Sequence, residues 1–199
     1  MLRISETSIN NRGRAIYYTK QRSGFIEEKG LGLIHIFHGQ GVRKTSSAVG
    51  LAIRAAGNHL KVDFVQFMKS GDSGEVPLLK QIPQIRYYCP GEHPYIMSQG
   101  PEAIHREHAE KALNFAVGAN ERGTQVLICD EILDTIIFDI LTTDQILDLM
   151  KMCKGKVELV LTGRYAPWEI MGMADYVTEF IQIKHAYYEG SKARKGIEY

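Results

Sequence analysis

The 199-residue sequence contains little that would place the protein in a membrane, outside the cell or on nucleic acid. It lacks any run of about 18 uncharged apolar residues, the length that a membrane-spanning helix needs. Its first twenty residues lack the apolar core of a secretory signal. The 24 lysines and arginines nearly balance the 23 aspartates and glutamates, so a general nucleic-acid binder is not expected. We therefore expect a cytoplasmic protein that binds neither membranes nor nucleic acid.

Cysteine is also scarce. The three cysteines, at 89, 129 and 153, are odd in number and have no CxxC spacing, so neither a disulfide framework nor a zinc site is expected. The apolar fraction of 44% and the charged fraction of 24% are typical of a globular domain. Residues 1–30 are polar and mixed in charge, and we interpret them as an arm, in part helical, outside a single domain formed by residues 31–199.

From Leu31 onwards, short apolar runs alternate with segments of helical spacing. Strands are predicted at LGLIHIFHG, VDFVQFM, QVLICDE, KVELVLTGR and YVTEFIQI; helices at 45–56, 101–121, 142–152 and 167–173; and irregular structure at 85–100. This alternation predicts an α/β fold with a mostly parallel sheet and helices on both faces. Ligands of such sheets bind at the carboxyl ends of the strands, where three polar segments are found. They are the glycine loop, Asp130-Glu131 and Thr162-Gly163-Arg164.

The segment 38–45 follows the order of a phosphate-binding P-loop, which is strand, glycine-containing loop, lysine–threonine and helix. In a P-loop, backbone N–H groups at a helix N-terminus bind phosphate, the lysine neutralises its charge, and the hydroxyl ligates Mg²⁺. Lys44 and Thr45 stand where they should, but His38 and Arg43 occupy two expected glycine positions. The glycines that remain are Gly39 and Gly41. From this pattern alone, an ordinary strand-to-helix turn is as good an interpretation as a nucleotide site.

Two carboxylates, Asp130 and Glu131, end the apolar strand QVLIC. An acidic residue at this point is the second half of a P-loop site, placed to hold Mg²⁺ directly or through water. Asp130 alone would serve equally well as a cap of the next segment, but two half-motifs in the correct order favour the nucleotide site. Arg164 ends another strand, where it is either a phosphate or carboxylate ligand or a solvated surface arginine.

A group of aromatic and histidine side chains lies between residues 87 and 108. These residues either line a pocket for a flat ligand or belong to the core and its rim; they are Tyr87, Tyr88, His93, Tyr95, His105 and His108. His105 and His108 are three apart on a predicted helix, a spacing compatible with a metal. Because no third ligand is visible, we expect them on a solvated helix face instead.

Five segments of the sequence follow one another in a distinctive order. They are IHIFHGQGVRKTSSAVGLAIRAAG, VDFVQFMK, ICDE, LTGRYAPWEIMGMADYVTE and IKHAYYEGSKARKGIEY. Together they closely resemble the P-loop ATP:corrinoid adenosyltransferases, which act on cob(I)yrinic acid a,c-diamide or cob(I)alamin. The resemblance covers residues 31–199, and TGRYAP, ADYVTE and the tail from Lys184 are its most specific parts. It implies a P-loop NTPase-like (RecA-like) fold.

The resemblance also implies a reaction. The 5′-deoxyadenosyl group of ATP is transferred to a Co(I) corrinoid and tripolyphosphate is released, in adenosylcobalamin synthesis or salvage. The cobalt is the nucleophile, so the protein would act by positioning and charge stabilisation, without a covalent residue. The resemblance further implies a homodimer, a flavoprotein reductant, and an arm at 1–30 that helps to cover the corrinoid.

The resemblance implies that Gly39, Gly41, Lys44 and Thr45 bind phosphate and that Thr45 and Glu131 ligate Mg²⁺. From their places in the loop and at the strand ends, we also expect Gln40, Arg43, Ser46 and Arg164 to bind ATP or phosphate, and Asp130 to ligate Mg²⁺. His93 and Tyr95 are the expected corrinoid contacts.

This chain departs from the family pattern in two places. Val42-Arg43 replaces a lysine–glycine pair, whereas His38 is ordinary for the family. If position 43 requires a positive φ, the arginine costs about 1–3 kcal/mol, although its charge replaces the one lost at Val42. At GEHPYI, His93, Pro94 and Tyr95 stand where the family packs aromatic residues beneath the corrin ring.

These departures keep an alternative open, which is a non-catalytic corrinoid- or nucleotide-binding relative with a degenerate P-loop. A small-molecule kinase is disfavoured by the tail, and because no general base for a hydroxyl acceptor is evident.

Overall fold

The computed structural model describes residues 6–9, 15–18 and 30–198, and for the first two segments it describes the backbone alone. The chain divides into two compact units, residues 1–30 and 31–199. In the first unit, β1 (Glu6–Ile9) pairs antiparallel with β2 (Ala15–Tyr18). Residues 6–9 and 15–18 of the predicted arm are therefore strands, and the expectation that part of the arm is helical lies outside the described residues.

The second unit contains a six-stranded sheet. Its strands are β3 (Ile34–His38), β4 (Val62–Gln66), β5 (Ile85–Tyr88), β6 (Val126–Asp130), β7 (Glu158–Thr162) and β8 (Tyr176–Glu179). Their spatial order is β5-β4-β6-β7-β3-β8, and all five neighbouring pairs are parallel. The predicted α/β fold with a parallel sheet is confirmed. Strand β5 lies in the segment 85–100 that was predicted to be irregular, and that prediction is wrong for residues 85–88. It is an edge strand in which Ile85 alone is buried, so its apolar signal is short.

Helices cover both faces of the sheet. The longer ones are α1 (Lys44–Gly57), α3 (Ala103–Val117), α5 (Thr143–Cys153) and α6 (Trp168–Met173); the shorter ones are α2 (Val76–Leu79), α4 (Asp134–Ile137) and a 3₁₀ turn at Ala186–Glu189. The buried alanines of α1 pack with Phe64 and Ile128, whereas α3, α5 and α6 pack with Val65 and Leu127. Neighbouring residues of one strand enter different cores because successive side chains point to opposite faces. The two cores explain why every residue of β4 and β6 is buried.

Local sequence signals set several helix ends. Helix α5 begins after Thr142, whose hydroxyl accepts the Gln145 N–H at 3.2 Å while the Gln145 amide oxygen accepts the Thr142 N–H at 2.8 Å. This capping box stabilises the first turn. Helix α1 ends at Gly57 beside Asn58, as predicted. No helix in the described part of the chain has the length and apolarity needed to cross a bilayer.

The parallel order brings the carboxyl ends of the strands to one edge of the sheet. Loop 39–43 follows β3, Asp130 and Glu131 lie at the end of β6, and residues 163–164 follow β7. Lys69 lies three residues beyond the end of β4. This edge carries the candidate site.

Candidate nucleotide site

The two glycines of the loop are required by backbone packing. Gly39 has a φ of 109°, and a Cβ at this position would clash with the carbonyl oxygen of Phe180, just beyond β8. A Cβ at Gly41 would lie 2.7 Å from the Phe180 carbonyl carbon. The Gly41 N–H donates to the Phe180 carbonyl at 2.7 Å, and the Gly39 N–H donates to the Arg164 carbonyl at 3.2 Å. The end of β8 thus holds the loop in its curved form.

Arg43 immediately precedes α1 in the left-handed conformation, with φ 82° and ψ 11°. Glycine adopts this conformation freely, whereas an arginine there is strained. The condition raised from the sequence is therefore met: the position does have a positive φ. The Arg43 Nη1 donates to the carbonyl of Ile197 at 2.7 Å, so this guanidinium is held by the C-terminal segment.

Lys44 points back into the loop. Its Nζ donates to the carbonyl oxygens of Gly39 at 2.7 Å and Gly41 at 2.8 Å. Burial lowers the pKa of Lys44, and the nearby carboxylates of Asp134 and Glu131 oppose that effect. The first amides of α1 have no acceptor within the helix. An ammonium held by carbonyls, beside helix amides that have no acceptor within the helix, is a donor set that fits phosphate.

The P-loop threonine and the strand-end aspartate are in direct contact. Thr45 Oγ1 donates to the Asp130 carboxylate at 3.1 and 3.3 Å. Asp130 is fully buried and also accepts from Thr162 Oγ1 at 2.8 Å and Gln66 Nε2 at 3.4 Å. Within the described part of the chain, the partners of the Asp130 carboxylate are side chains, which argues against a simple capping role. A hydroxyl beside a carboxylate is a ligand set that fits Mg²⁺.

Glu131 is held in an unusual backbone conformation beside this pair. Its φ is 62°, and its N–H donates to Thr162 Oγ1 at 2.8 Å. Such strain in a non-glycine residue often marks a functional position. Burial raises the pKa of the Glu131 carboxyl, the Lys69 charge opposes this, and Asp130 adds to it. The Glu131 side chain is 30% exposed, so a ligand can reach it.

Lys69 has no role in the sequence prediction, yet it lies at the centre of the site. Its Nζ is 2.9 Å from Thr45 Oγ1, 2.8 Å from Asp130 Oδ2 and 3.5 Å from Glu131 Oε1. Burial tends to lower the pKa of Lys69, but the two carboxylates more than offset this and raise it. The available signal was its position, because it follows the carboxyl end of a strand as the other site residues do.

The remaining predicted phosphate ligands lie around the loop. Gln40 and Ser46 are exposed, on the loop and on the first turn of α1 respectively. Arg164 pairs with Asp134: its N–H donates to Oδ1 at 2.6 Å and its Nε donates to Oδ2 at 3.2 Å. Its guanidinium is thus at the predicted edge, with a carboxylate as its partner.

The segment predicted to contact the corrinoid is anchored next to Lys69. Ser70 Oγ accepts the His93 N–H at 2.8 Å and donates to the His93 carbonyl at 3.2 Å. Tyr95, two residues on, is 91% exposed. An exposed aromatic ring beside a charged site is available to a large, flat ligand.

His105 and His108 are buried, so the prediction of a solvated helix face is wrong. The segment around Pro94 covers this face of α3: His105 Nε2 is 3.0 Å from the Pro94 carbonyl, and its Nδ1 accepts the Glu102 N–H at 2.8 Å. The ring of His93 lies 4.8 Å from that of His105, centroid to centroid. Among the described residues, no group of histidine, cysteine and acidic side chains is arranged to hold a metal by itself.

Comparison with known proteins gives a consistent result. The family model for "ATP:corrinoid adenosyltransferase BtuR/CobO/CobP" matches residues 30–199. The "Corrinoid adenosyltransferase" of Pseudomonas aeruginosa is 32% identical over 178 residues, which cover 87% of this chain and 85% of that protein. The "Corrinoid adenosyltransferase CobA" of Salmonella typhimurium is 30% identical over 177 residues, with 84% and 86% covered. The "Corrinoid adenosyltransferase" of Escherichia coli K12 is 29% identical, with the same coverage.

Proposed function

Because the chain belongs to the ATP:corrinoid adenosyltransferase family, we propose that loop 39–46 binds the triphosphate of ATP and that Thr45, Asp130 and Glu131 hold Mg²⁺. The activity of the family is the ATP-dependent adenosylation of corrinoids, and ATP and a corrinoid are the substrates. The observation that supports this assignment of residues most strongly is the contact between Thr45 and Asp130, which joins the two halves of the P-loop site.

The residues of this site suit the proposed reaction. A new bond forms between Co(I) and C5′ with the cobalt electron pair, and the C5′–O bond breaks with its pair leaving on tripolyphosphate. Mg²⁺, when bound, would neutralise part of the leaving-group charge. Lys44 would exchange its two carbonyl partners for phosphate oxygens, which are stronger acceptors for an ammonium. Thr162 would keep Asp130 and Glu131 in place by bonding both.

The altered loop does not favour the non-catalytic alternative. Gly39 and Gly41, which shape the loop and bond Lys44, are intact, and the strained residue, Arg43, is not one of them. Arg43 would contribute to phosphate binding through the donors that it does not use on Ile197, or by exchanging that contact, because its guanidinium is exposed.

We assign the corrinoid to the surface that carries His93 and Tyr95, with residues 1–30 as its cover. The exposed ring of Tyr95 and the anchoring of His93 on Ser70 support this assignment. A homodimer and a flavoprotein reductant, both expected from the family resemblance, and a cytoplasmic location, expected from the composition, complete the proposal.

Adenosylation by the purified protein tests the proposal. The protein is incubated anaerobically with MgATP and chemically reduced cobalamin, and the light-sensitive Co–C product is followed by absorbance. Lys44→Ala should weaken ATP binding in calorimetry, whereas Lys111→Ala, an exposed residue on α3, should not. No product together with no ATP binding would refute the function, and an unchanged affinity for ATP in Lys44→Ala would remove the loop from the site.

A further inference from the structure

The ammonium of Lys69 lies where the three proposed metal ligands converge. It contacts Thr45 Oγ1 at 2.9 Å, Asp130 Oδ2 at 2.8 Å and Glu131 Oε1 at 3.5 Å. An ammonium has three N–H donors, and these contacts give it one partner on each of the three proposed metal ligands. The side chain is only 19% exposed, so its position is set by the protein and not by solvent.

Charge explains why a cation is needed at this point. Asp130 is fully buried, Glu131 follows it in the chain, and Asp134 adds a third carboxylate nearby. Adjacent carboxylates in a low dielectric repel each other unless a cation neutralises them. The other donors to Asp130, from Thr45, Thr162 and Gln66, are neutral. Within the described part of the chain, Lys69 is the cation that pairs with Asp130.

The ammonium and a magnesium ion cannot both lie at the point where these three oxygens converge. Mg²⁺ binds oxygen at about 2.0–2.1 Å, inside the space that an ammonium 2.8–2.9 Å away already fills. The lysine has a flexible four-carbon stem, so its head group can move while the backbone stays. The backbone is held independently, because Cys89 Sγ donates to the Lys69 carbonyl at 3.2 Å.

We propose that Lys69 is a built-in counter-ion that occupies the metal position. Mg²⁺ that enters with ATP displaces the Lys69 ammonium from this position. Free Mg²⁺ must compete with the ammonium for the carboxylates. Mg²⁺ carried by ATP brings phosphate oxygens as further ligands, and these also give the displaced ammonium a new partner. Lys69 thereby makes metal binding depend on the nucleotide. This inference rests on the metal site of the proposed function.

Binding of Mn²⁺ in the absence of nucleotide tests the inference. Lys69→Met keeps the length of the side chain and removes its charge, whereas Lys69→Arg keeps a charge. Lys111→Met removes an exposed lysine from an i,i+4 pair on α3 and is the matched control. Electron paramagnetic resonance should show free Mn²⁺ binding at least about tenfold tighter to Lys69→Met than to the wild type, a gain of about 1.4 kcal/mol. Lys69→Arg and Lys111→Met should bind it as weakly as the wild type.

Thermal unfolding gives a second readout. Mn²⁺ should raise the melting temperature of Lys69→Met and leave that of the wild type almost unchanged. If Lys69→Met folds only when Mn²⁺ is present, and not in NaCl of equal ionic strength, the inference is supported. Should Lys69→Met fail to fold under both conditions, Lys69→Gln, which can still donate to Asp130, takes its place in the binding measurement.

Equal Mn²⁺ affinity in the uncharged variant and the wild type would overturn the inference, and so would tight binding of free Mn²⁺ by the wild type. Both outcomes leave the proposed function intact if ATP and Mn²⁺ together bind the wild type. If no form of the protein binds Mn²⁺ even with ATP, the proposed metal site fails, and the inference fails with it.

Discussion

The strained arginine before α1 allows a quantitative test of the loop. Arg43 has a φ of 82°, a conformation that costs a residue with a Cβ about 1–2 kcal/mol. Arg43→Gly removes this cost but gives the unfolded chain more freedom, which returns about 0.5–1 kcal/mol. Arg43→Ala keeps the strain. Both variants lose the bond from the guanidinium to the Ile197 carbonyl, so that loss cancels when they are compared.

The comparison therefore isolates the backbone strain. Arg43→Gly should be more stable than Arg43→Ala by about 0.5–1 kcal/mol, which corresponds to a melting temperature higher by roughly 1–4 °C for a chain of this size. Urea unfolding followed by circular dichroism gives the free energies, and equal slopes against urea show that the denatured states match. Equal stabilities of the two variants would refute the argument that Arg43 stores strain.

The same pair of variants also tests the guanidinium as a phosphate ligand. If Arg43 acts only on the loop conformation, Arg43→Gly should bind ATP at least as well as the wild type in calorimetry. A loss of ATP binding in both variants would show that Arg43 holds phosphate, and that its charge has taken over the role of the family's lysine.

Three further outcomes are expected. Asp63→Ala should lower the free energy of unfolding in urea by about 3 kcal/mol, because Asp63 is a buried partner of Arg122. Its affinity for ATP should stay unchanged, because Asp63 lies near the amino-terminal end of β4, away from the candidate site. A loss of ATP binding at full stability would contradict this. Thr162→Val should weaken ATP binding more in the presence of Mg²⁺ than in its absence, since the Thr162 hydroxyl bonds both Asp130 and Glu131. Equal losses of affinity under the two conditions would exclude a positioning role. Burial and the charge of Lys111 lower the pKa of His108 below 6.5, so the unfolded state takes up a proton before the folded state as the pH falls. The advantage of the wild type over His108→Gln in free energy of unfolding should therefore shrink between pH 7.5 and 5.5. An advantage that stays constant with pH would refute this.

Much of the site could be predicted because its parts are local in sequence. A strand, a glycine-containing loop and a helix are adjacent in the chain, so Lys44 and Thr45 could be placed at the start of α1 without any tertiary information. Parallel strands have their carboxyl ends at one edge, and this alone predicted that Asp130 and Arg164 would be near the loop. The contact of Thr45 with Asp130 fits that expectation. The contacts to ATP, Mg²⁺ and the corrinoid stay predictions.

The features that the sequence did not predict have one physical origin: the structure at these positions depends on residues distant in the chain. Strand β5 has a weak pattern of its own and is a strand because β4 offers it hydrogen-bonding partners. His105 and His108 were expected on a solvated helix face because no third metal ligand was visible, but the segment at 93–94 covers them. The contact of Arg43 with Ile197, 154 residues away, was likewise not expected from the sequence, whereas its role as a phosphate ligand stays a prediction.

The sequence by itself determined the fold class, the loop and the family, because each of these is written in short, contiguous patterns. Only the tertiary structure decided which side chains meet at the metal position. The order of the sheet places β4 beside β6, with Gln66 opposite Asp130, and this register carries Lys69 onto a carboxylate 61 residues further along the chain. It likewise places β7 on the other side of β6, so that Thr162 can bond Asp130 and Glu131 together. Strand order and register follow from the packing of the whole sheet, and no segment of the sequence contains them alone.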